Sequence, residues 1–324
     1  MKKKLWIIIP LAIIVISVLL GAGVLFLTRP VNPLAQETRR FVVPRGQAIS
    51  VIARRLEEDG LIKNALVFQV IVKQEDLGES IQAGSFDLSP SLSAREIARQ
   101  LTEGTNDLWI TILEGWRREE IAESLADQEL AKFDPTEFLR LTTGKEGRLF
   151  PDTYLVPREV TAEQVAMLLE QTFERKVLIG LEEEIASSPY DFTEALIMAS
   201  IVEREARGET ELRTVAGILW NRVEINMALQ ADATLQYIKG YNQTTDSWWS
   251  PPTPDDKQLN SAYNTYRYPG LPPRPIANPG LAAINAALNP MRTDYFYYLH
   301  DRTGQIHYGR TLEEHNANVA TYLQ

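Results

Sequence analysis

The sequence predicts an α+β protein that has an N-terminal transmembrane helix, a small α+β module and a longer α+β region after it. Three observations lead to this prediction: residues 5–28 contain no charged side chain, residues 39–105 combine short strands with helices, and residues 106–324 place helices between short β-rich runs. A helix of residues 5–28 would be roughly 36 Å long, which is enough to cross the apolar core of a bilayer.

The apolar run at the N-terminus is favoured as an uncleaved membrane anchor. A signal peptide is the alternative, because the Gly-Ala-Gly at residues 21–23 is similar to a cleavage site, but the apolar run continues through residues 24–27. Three lysines at positions 2–4 precede the run, and basic residues stay on the cytoplasmic side. We therefore expect residues 1–29 to form a cytoplasmic tail and a single-pass anchor in the cell (inner) membrane, with an extracytoplasmic body.

The composition excludes several functions. Of the 33 Lys and Arg residues, four lie in the first 29 residues, so the remaining chain has 29 bases against 43 acids and a net charge of −14. Such an acidic body is a poor nucleic-acid binder, because phosphate contacts need clustered bases. The absence of cysteine excludes disulfides, thiolate zinc sites and a thiol nucleophile. The three histidines lie in a predicted hairpin and helix start, a setting unfavourable for zinc, so no metal or other cofactor is expected.

The predicted elements divide the rest of the chain into three parts. Residues 30–38, with two prolines, form a short tether. In residues 39–105 we expect strands at 41–44 and 84–88 and helices at 49–56, 65–73 and 93–101, the last with a capping box of Ser93 and Glu96. In residues 106–324 we expect a strand at 109–113, a hairpin of 295–299 and 305–308, and helices at 117–125, 161–177, 181–187, 192–206, 211–223, 233–239, 281–288 and 312–323.

Two segments of the longer region are expected to be loops. Residues 150–154 predict a short loop, and residues 248–275, with seven prolines, predict a long one. A loop as long as the second one inside a compact domain usually carries function.

Glu203 and Glu205 are the first candidates for chemistry, because they lie in an otherwise apolar helical stretch. Apolar surroundings disfavour the ionised carboxylate and raise its pKa, which prepares a general acid for neutral pH. Both positions follow an apolar stripe, so periodicity does not choose between them. The alternative is a solvated, charged helix end, which the residues alone favour.

Two polar clusters follow. The first contains Gln230, Asp232 and Thr234, where Asp232 alternatively caps the helix predicted at 233–239. The second contains amide, hydroxyl and aromatic groups on a proline-rich loop, which suit sugar recognition; its members are Tyr263, Asn264, Tyr266 and Asn278. A proline-stiffened surface loop is the alternative, and composition does not separate the two.

Taken in order, these clusters resemble the YceG-like family of endolytic murein transglycosylases. The resemblance covers nearly the whole chain. It is carried by Glu146-Gly147-Arg148-Leu149-Phe150-Pro151-Asp152-Thr153-Tyr154, Ala199-Ser200-Ile201-Val202-Glu203-Arg204-Glu205, Ala216-Gly217-Ile218-Leu219-Trp220-Asn221-Arg222, Met227-Ala228-Leu229-Gln230-Ala231-Asp232-Ala233-Thr234, Tyr263-Asn264-Thr265-Tyr266, Gly270-Leu271-Pro272-Pro273, Ile276-Ala277-Asn278-Pro279-Gly280 and Glu314-His315-Asn316. Ala233 and Arg274 depart from the family pattern, which often has Pro and Gly there.

The resemblance implies a lyase that cleaves the β-1,4 bond between N-acetylmuramic acid (MurNAc) and N-acetylglucosamine (GlcNAc) inside nascent peptidoglycan strands, leaves 1,6-anhydroMurNAc ends, and so terminates or trims strands. It also implies a LysM-like module at 39–105 and a catalytic region at 106–324, with its core at about 190–324. Glu203 matches the family's catalytic acid. The residues of the two polar clusters are expected to bind the sugars. Peptidoglycan strands and the membrane are the expected partners, and peptidoglycan synthases are candidate protein partners.

Two rival functions remain. A muramidase, which is a hydrolase, would use Glu205 or Asp232 as a second carboxylate. A non-catalytic, membrane-tethered peptidoglycan binder would bind glycan through the module at 39–105 and leave it intact.

Overall fold

The computed structural model describes residues 21–23, 25–44, 46–104 and 107–323. The chain forms two compact units. The first unit is the chain up to Trp109 together with Leu155–Arg158, and the second is Ile110–Tyr154 together with the chain from Glu159 onward. Helices and strands are present in both units, so the predicted α+β class is confirmed.

The first unit is built on a two-stranded antiparallel sheet in which Phe41 lies opposite Phe86. Its elements are β1 (Arg39–Val43), α1 (Ile49–Glu58), α2 (Ala65–Gln74), β2 (Gly84–Leu88) and α3 (Ala94–Gln100). Helix α1 buries Ile52, Ala53 and Leu56, the i, i+1, i+4 stripe that the sequence predicts. The capping box of α3 is confirmed, because the side chains of Ser93 and Glu96 each accept the other residue's backbone N–H.

Most of the predicted membrane anchor lies outside the described residues, since residues 1–20 and 24 are not among them. Across the part of the chain that the structure describes, no helix is both long and apolar enough to span a bilayer. The anchor and its orientation stay predictions.

The second unit is mostly helical. Two strands, β3 (Asp107–Thr111) and β4 (Thr153–Pro157), have residues in each unit. The other elements of the second unit, in chain order, are α4 (Arg118–Ala126), α5 (Pro135–Leu141), α6 (Ala162–Phe173), α7 (Glu182–Ser187), α8 (Phe192–Glu205), α9 (Glu209–Glu224), α10 (Asp232–Lys239), α11 (Leu281–Leu288), β5 (Tyr297–His300), β6 (Ile306–Gly309) and α12 (Leu312–Tyr322). Strand β3 pairs with β4, and β5 pairs with β6 as the predicted hairpin.

Three elements differ from the sequence prediction. The loop predicted at 150–154 is wrong in its second half, because Thr153 begins β4, whose residues alternate between exposed and buried. Helix α5 was not predicted, although Asp134 caps it by accepting the N–H groups of Thr136 and Glu137. The helix predicted at 161–177 ends its regular part at Phe173 and continues as a wider π-helical stretch, Glu174–Ile179.

The core of the second unit lies where α8, α9 and α11 pack together. Eight consecutive residues of α8, from 195 to 202, are buried, so this helix has apolar neighbours on every side. Close packing depends on small residues: a Cβ at Gly217 of α9 would lie 2.1 Å from the Met291 carbonyl oxygen. The Trp220 indole N–H donates to the Ala287 carbonyl oxygen at 3.0 Å, which fixes α9 against α11. Helix α8 leaves this core at its last turn, and that turn carries Glu203 and Glu205.

Candidate active site

Glu203 lies half-buried in the last turn of α8 and faces the start of α11. The Gly280 backbone N–H donates to Glu203 Oε2 at 2.9 Å. Gly280 immediately precedes α11, so the carboxyl group lies at a helix N-terminus, where partial positive charge favours an anion. Within the described residues Glu203 Oε1 makes no hydrogen bond, and it stays available to another molecule.

The pKa of Glu203 is raised to about 7, mainly by burial and to a smaller extent by repulsion from the Glu114 carboxylate. The Gly280 N–H and the Arg204 guanidinium act in the opposite direction. Because that pKa lies near neutrality, the side chain can both give up and take back a proton at physiological pH.

The turn at Gly115 and Trp116, near the start of the second unit, lies beside Glu203 and is held by Asn278. The Gly115 N–H donates to the Asn278 carbonyl oxygen at 2.9 Å, and the Asn278 N–H donates to the Trp116 carbonyl oxygen at 2.8 Å. Gly115 has a φ of +75°, and a Cβ there would lie 3.2 Å from the Arg204 side chain and 3.4 Å from Glu203 Cγ. A Cβ at Gly280 would lie 1.8 Å from Glu114 Oε1, so any larger residue would displace the Glu114 side chain. Two carboxyl groups, those of Glu203 and Glu114, thus meet at Gly280.

Glu205 has a different environment, although it is also half-buried. The Tyr298 hydroxyl donates to Glu205 Oε2 at 2.9 Å. The Ala233 N–H, in the first turn of α10, also stabilises its charged form. Burial is the larger effect, and the pKa of Glu205 is raised.

Arg204, between the two acids, packs on an aromatic wall. Its guanidinium lies 4.0 Å from the centroid of the Trp249 ring, and its buried Nε has no hydrogen-bond partner in the described chain. The Trp249 indole N–H donates to Glu120 at 2.8 Å. The guanidinium of Arg117 lies 4.6 Å from the Trp248 ring centroid. Half-buried indole rings of this kind offer flat apolar faces to a sugar ring.

Two clefts open beside these residues, and Glu205 and His300 line both. The first has a volume of about 630 Å³ and is lined by Glu203, Arg204, Glu205, Ala206, Arg207, His300, Asp301, Arg302, Thr303 and Gly304. The second has a volume of about 420 Å³ and is lined by Glu205, Arg222, Gln230, Asp232, Tyr266, Tyr297, Tyr298, Leu299, His300, Leu312 and His315. Both clefts are polar, as a carbohydrate site requires.

Three of the predicted sugar-binding residues meet in the second cleft: Gln230, Asp232 and Tyr266. The Tyr266 hydroxyl donates to Asp232 Oδ1 at 2.6 Å. Asp232 is the first residue of α10 and does not cap it, since the cap position is Ala231. The alternative reading of Asp232 as a helix cap is therefore wrong.

Thr234, Asn264 and Asn278 are completely buried, and their polar side-chain atoms are bonded within the chain. The Thr234 hydroxyl contacts the Ala231 carbonyl and Thr265 Oγ1. The Asn264 amide joins backbone groups at both ends of its loop, donating to the carbonyls of residues 257 and 259 and accepting from the N–H groups of residues 266 and 267. This burial argues against direct sugar contact and gives these residues a positioning role.

Asn278 and Tyr263 lie away from the second cleft. Asn278 Oδ1 accepts the N–H groups of Gly147 and Leu149, and Asn278 Nδ2 donates to Glu146 Oε1 at 2.8 Å. Tyr263 is half-buried, with its ring centroid 5.1 Å from that of Tyr237.

The structure adds site residues that the sequence analysis missed, namely Glu114, Glu146 and Gly280. Gly280 carried a usable signal, because it directly precedes a predicted helix whose N-terminus attracts an anion. Glu146 belongs to a segment that carries the family resemblance, but no local pattern predicts that its side chain is buried. Over the described ranges, no group of three or more His, Asp or Glu side chains is arranged to hold a metal ion.

Comparison with known proteins gives a consistent family. The model of the YceG-like family matches residues 41–321. An endolytic murein transglycosylase of Bacillus subtilis is 29% identical, with 92% of this chain and 88% of that protein covered. One from Streptococcus pneumoniae is 26% identical, and the alignment covers 90% of this chain and 60% of the longer relative. The crystal structure of a yceG-like protein from Listeria monocytogenes is similar, with 29% identity, a TM-score of 0.54, and 87% of this chain and 99% of that chain covered.

Proposed function

The chain belongs to the YceG-like family, and we propose that it is a membrane-anchored lyase that cuts peptidoglycan strands internally, an endolytic lytic transglycosylase. The observation that carries the proposal is the Glu203 carboxyl group. It opens into a polar cleft, has one oxygen fixed by the Gly280 N–H, and has a pKa raised to about 7. The names of the relatives support the same activity.

In the first step, protonated Glu203 gives its proton to the glycosidic oxygen that joins C1 of MurNAc to GlcNAc. The C1–O bond breaks, GlcNAc leaves with a free hydroxyl, and positive charge develops at C1 of MurNAc. Glu203 is now a carboxylate, which the Gly280 N–H and the Arg204 guanidinium stabilise. The cleft also holds the Glu205 carboxyl group, which can stabilise the developing positive charge.

In the second step, the Glu203 carboxylate takes the proton of the C6 hydroxyl of the same MurNAc. The O6–C1 bond forms and closes the 1,6-anhydro ring, so no water is consumed. Because the nucleophile is tethered to the substrate, proximity replaces the second carboxylate that a hydrolase needs. One acid–base group of near-neutral pKa is sufficient for this reaction.

A muramidase is the second candidate, because Glu205 lines the same cleft as Glu203. The two reactions give different ends: a hydrolase leaves reducing MurNAc, whereas a lyase leaves 1,6-anhydroMurNAc. The test is mass spectrometry of long, uncrosslinked glycan strands digested with the extracytoplasmic part of the chain. We expect shorter strands with anhydro ends. Reducing ends would establish the hydrolase, and disaccharides released only from strand ends would contradict internal cutting.

A non-catalytic binder is tested in the same digestion, since it would leave the strands intact. We propose that residues 39–105 are a LysM-like glycan-binding module, supported by the β1–α1–α2–β2 order and its antiparallel strand pair. Deleting this module should weaken binding to strands and leave the type of product end unchanged.

We also propose the cell-membrane location, with residues 1–29 as the anchor and the catalytic unit outside the cytoplasm. The uncharged run after three lysines supports it. A reporter fused after Gln324 should be active only outside the cytoplasm. Cytoplasmic activity would contradict both the orientation and access to peptidoglycan.

A further inference from the structure

Another cavity, with an apolar wall and two arginines at its edge, lies in the second unit, apart from the two clefts beside Glu203. It has a volume of about 290 Å³ and is formed by the segment before β4, the first half of α8 and the proline-rich loop. It is lined by Gly144, Glu146, Arg148, Phe192, Thr193, Leu196, Ile197, Pro273, Arg274 and Pro275. Arg274 is one of the two positions at which the sequence departs from the family pattern.

The cavity carries positive charge that the protein leaves uncompensated. Arg148 and Arg274 are both exposed, and within the described residues neither guanidinium takes part in an ion pair or a hydrogen bond. The Arg148 guanidinium lies 5.9 Å from the Phe173 ring centroid, where the interaction with the ring is weak. Both guanidinium groups are therefore available to an anion that enters the cavity.

Glu146 is the only acidic residue of the cavity lining, and it does not neutralise these arginines. The residue is 6% exposed, and burial raises its pKa to about 8, so it is mostly protonated at neutral pH. Its Oε1 accepts the Arg118 N–H at 3.1 Å and the Asn278 side-chain N–H at 2.8 Å, while its buried Oε2 has no partner in the described chain. Leaving a buried polar atom without a partner costs free energy, so the base of the cavity is not fully satisfied by the fold itself.

The cavity is connected to the proposed catalytic group. Glu146 bonds Asn278, and the backbone of Asn278 holds the turn at Gly115 that packs against Glu203. Arg274 and Glu146 are also close enough to Tyr263 to act on its pKa. A ligand group in this cavity would therefore be linked through Glu146 and Asn278 to the turn at Gly115, which lies beside Glu203.

We propose that this cavity is a subsite for a carboxylate of the peptide that peptidoglycan carries on its MurNAc residues. Arg148 and Arg274 bind the carboxylate, and Glu146 lies at the base of the subsite. A carboxylate fits because guanidinium groups bind it through paired, charge-assisted hydrogen bonds. A neutral sugar hydroxyl would leave both charges uncompensated. The identity of the peptide as the ligand rests on the function proposed above, whereas binding of a carboxylate does not.

The test compares two substrates and two binding probes on the full-length chain in detergent. The substrates are glycan strands that keep their peptides and the same strands with the peptide carboxylates converted to amides. We expect Arg148→Gln and Arg274→Gln each to raise KM for the unmodified strands by roughly 10-fold or more, the usual value of a hydrogen bond to a charged group. KM for the amidated strands and kcat for both should stay unchanged. Arg292→Gln, an exposed arginine elsewhere on the unit, is the control.

Calorimetric titration with free stem peptide gives a readout that does not depend on cleavage. The free peptide should bind the wild-type chain, and the same peptide with its carboxylates amidated should not. Equal effects of the arginine variants on both substrates, or equal binding of both peptides, would overturn the subsite. If the wild-type chain cleaves neither substrate but binds only the carboxylate peptide, the proposed lyase function fails and the subsite stands.

Discussion

Glu203 and Glu205 lie two residues apart at the end of α8, and their hydrogen bonds differ. Glu203 accepts one donor, the Gly280 N–H, and keeps Oε1 free at a cleft. Glu205 accepts the Tyr298 hydroxyl, and the nearby Ala233 N–H also favours its charged form. A carboxyl group with a free oxygen can exchange a proton with a ligand, and the interactions with these two groups suit Glu205 better to constant charge or to structure. On this difference we propose that Glu203 makes the proton transfers.

The same comparison shows that burial alone does not identify a catalytic acid. Burial is the first cause of the raised pKa for both residues, and Glu146 has a raised pKa without facing either cleft beside Glu203. What separates Glu203 is its donor, the backbone N–H of Gly280 at the start of α11, whereas the donor to Glu205 is the Tyr298 hydroxyl. The predictions below test whether that difference controls activity.

Glu203→Gln gives the largest expected effect. The amide keeps the shape of the side chain but cannot donate and recover a proton, and removing an acid–base group typically costs on the order of 10²–10⁴ in rate. One residue has both roles here, so we expect the upper end of that range or a larger loss. The measurement is turnover of glycan strands, together with strand binding, which should persist. A folded variant that keeps most of its activity would contradict the assignment.

The same variant should be more stable than the wild type at neutral pH. The pKa of Glu203 rises from its usual 4.5 to about 7 on folding, so the folded protein binds the proton more tightly than the unfolded chain. The free energy of unfolding of the wild type must therefore fall as pH increases from about 4.5 to about 7. A glutamine at position 203 does not titrate, so it adds no such pH dependence to the free energy of unfolding. The difference in melting temperature between variant and wild type should grow across that interval and level off above it.

Gly280→Ala should give the second largest loss. The new Cβ would overlap Glu114, which lies 1.8 Å from its position, so either the Glu114 side chain or the Gly280 N–H must move. Displacing the N–H removes the hydrogen bond that fixes Glu203, and misplacements of about 1 Å can cost on the order of 10²-fold in rate. The kcat should fall with a smaller change in KM. Gly280 has a φ of −75°, which alanine adopts without strain, so the matched control is Gly104→Ala, where a Cβ would meet only Gln82 Oε1 at 3.5 Å.

How much of this site the sequence could predict depends on how local each contact is. The helices of the core follow from apolar spacing, and the caps of α3 and α5 lie within four residues of the side chains that make them. The residues that set the position and the pKa of Glu203 are far from it in the sequence. Asn278 and Trp116, whose hydrogen bond brings Gly115 to Glu203, are 162 residues apart. Periodicity could therefore place Glu203 and Glu205 on one helix, but it could not reveal which carboxyl group has a backbone donor.

Glu205→Gln should reduce the rate less than either change above, by roughly 10-fold or less if the residue only supports the charge of the cleft. Its matched partner is Tyr298→Phe, which removes the hydroxyl that donates to the same carboxyl group. If Glu205 has a positioning role, the double variant should lose about as much as the more severe single variant, because both disrupt one contact. If Glu205→Gln is inactive and folded while Glu203→Gln is active, the two roles are reversed.

Glu114→Gln should give the smallest effect, a shift in pH dependence. The wild-type kcat/KM should fall as pH rises through about 7, because the reaction needs protonated Glu203. Repulsion from the Glu114 carboxylate favours that protonated form, so removing its charge lowers the pKa of Glu203 and moves the fall in rate to lower pH. The shift should be below about one pH unit, since burial is the larger cause and Glu114 is exposed to screening by solvent and salt.

Glu209→Gln is the control for this last experiment, because Glu209 lines the same surface hollow as Glu114 and its removal changes the net charge equally. Its pH profile should coincide with that of the wild type. A shift of the same size in both variants would show that Glu203 responds to overall charge, and a shift to higher pH in Glu114→Gln would contradict the proposed repulsion. Only a shift to lower pH in Glu114→Gln alone supports the view that the carboxyl group beside Gly280 helps to keep Glu203 protonated.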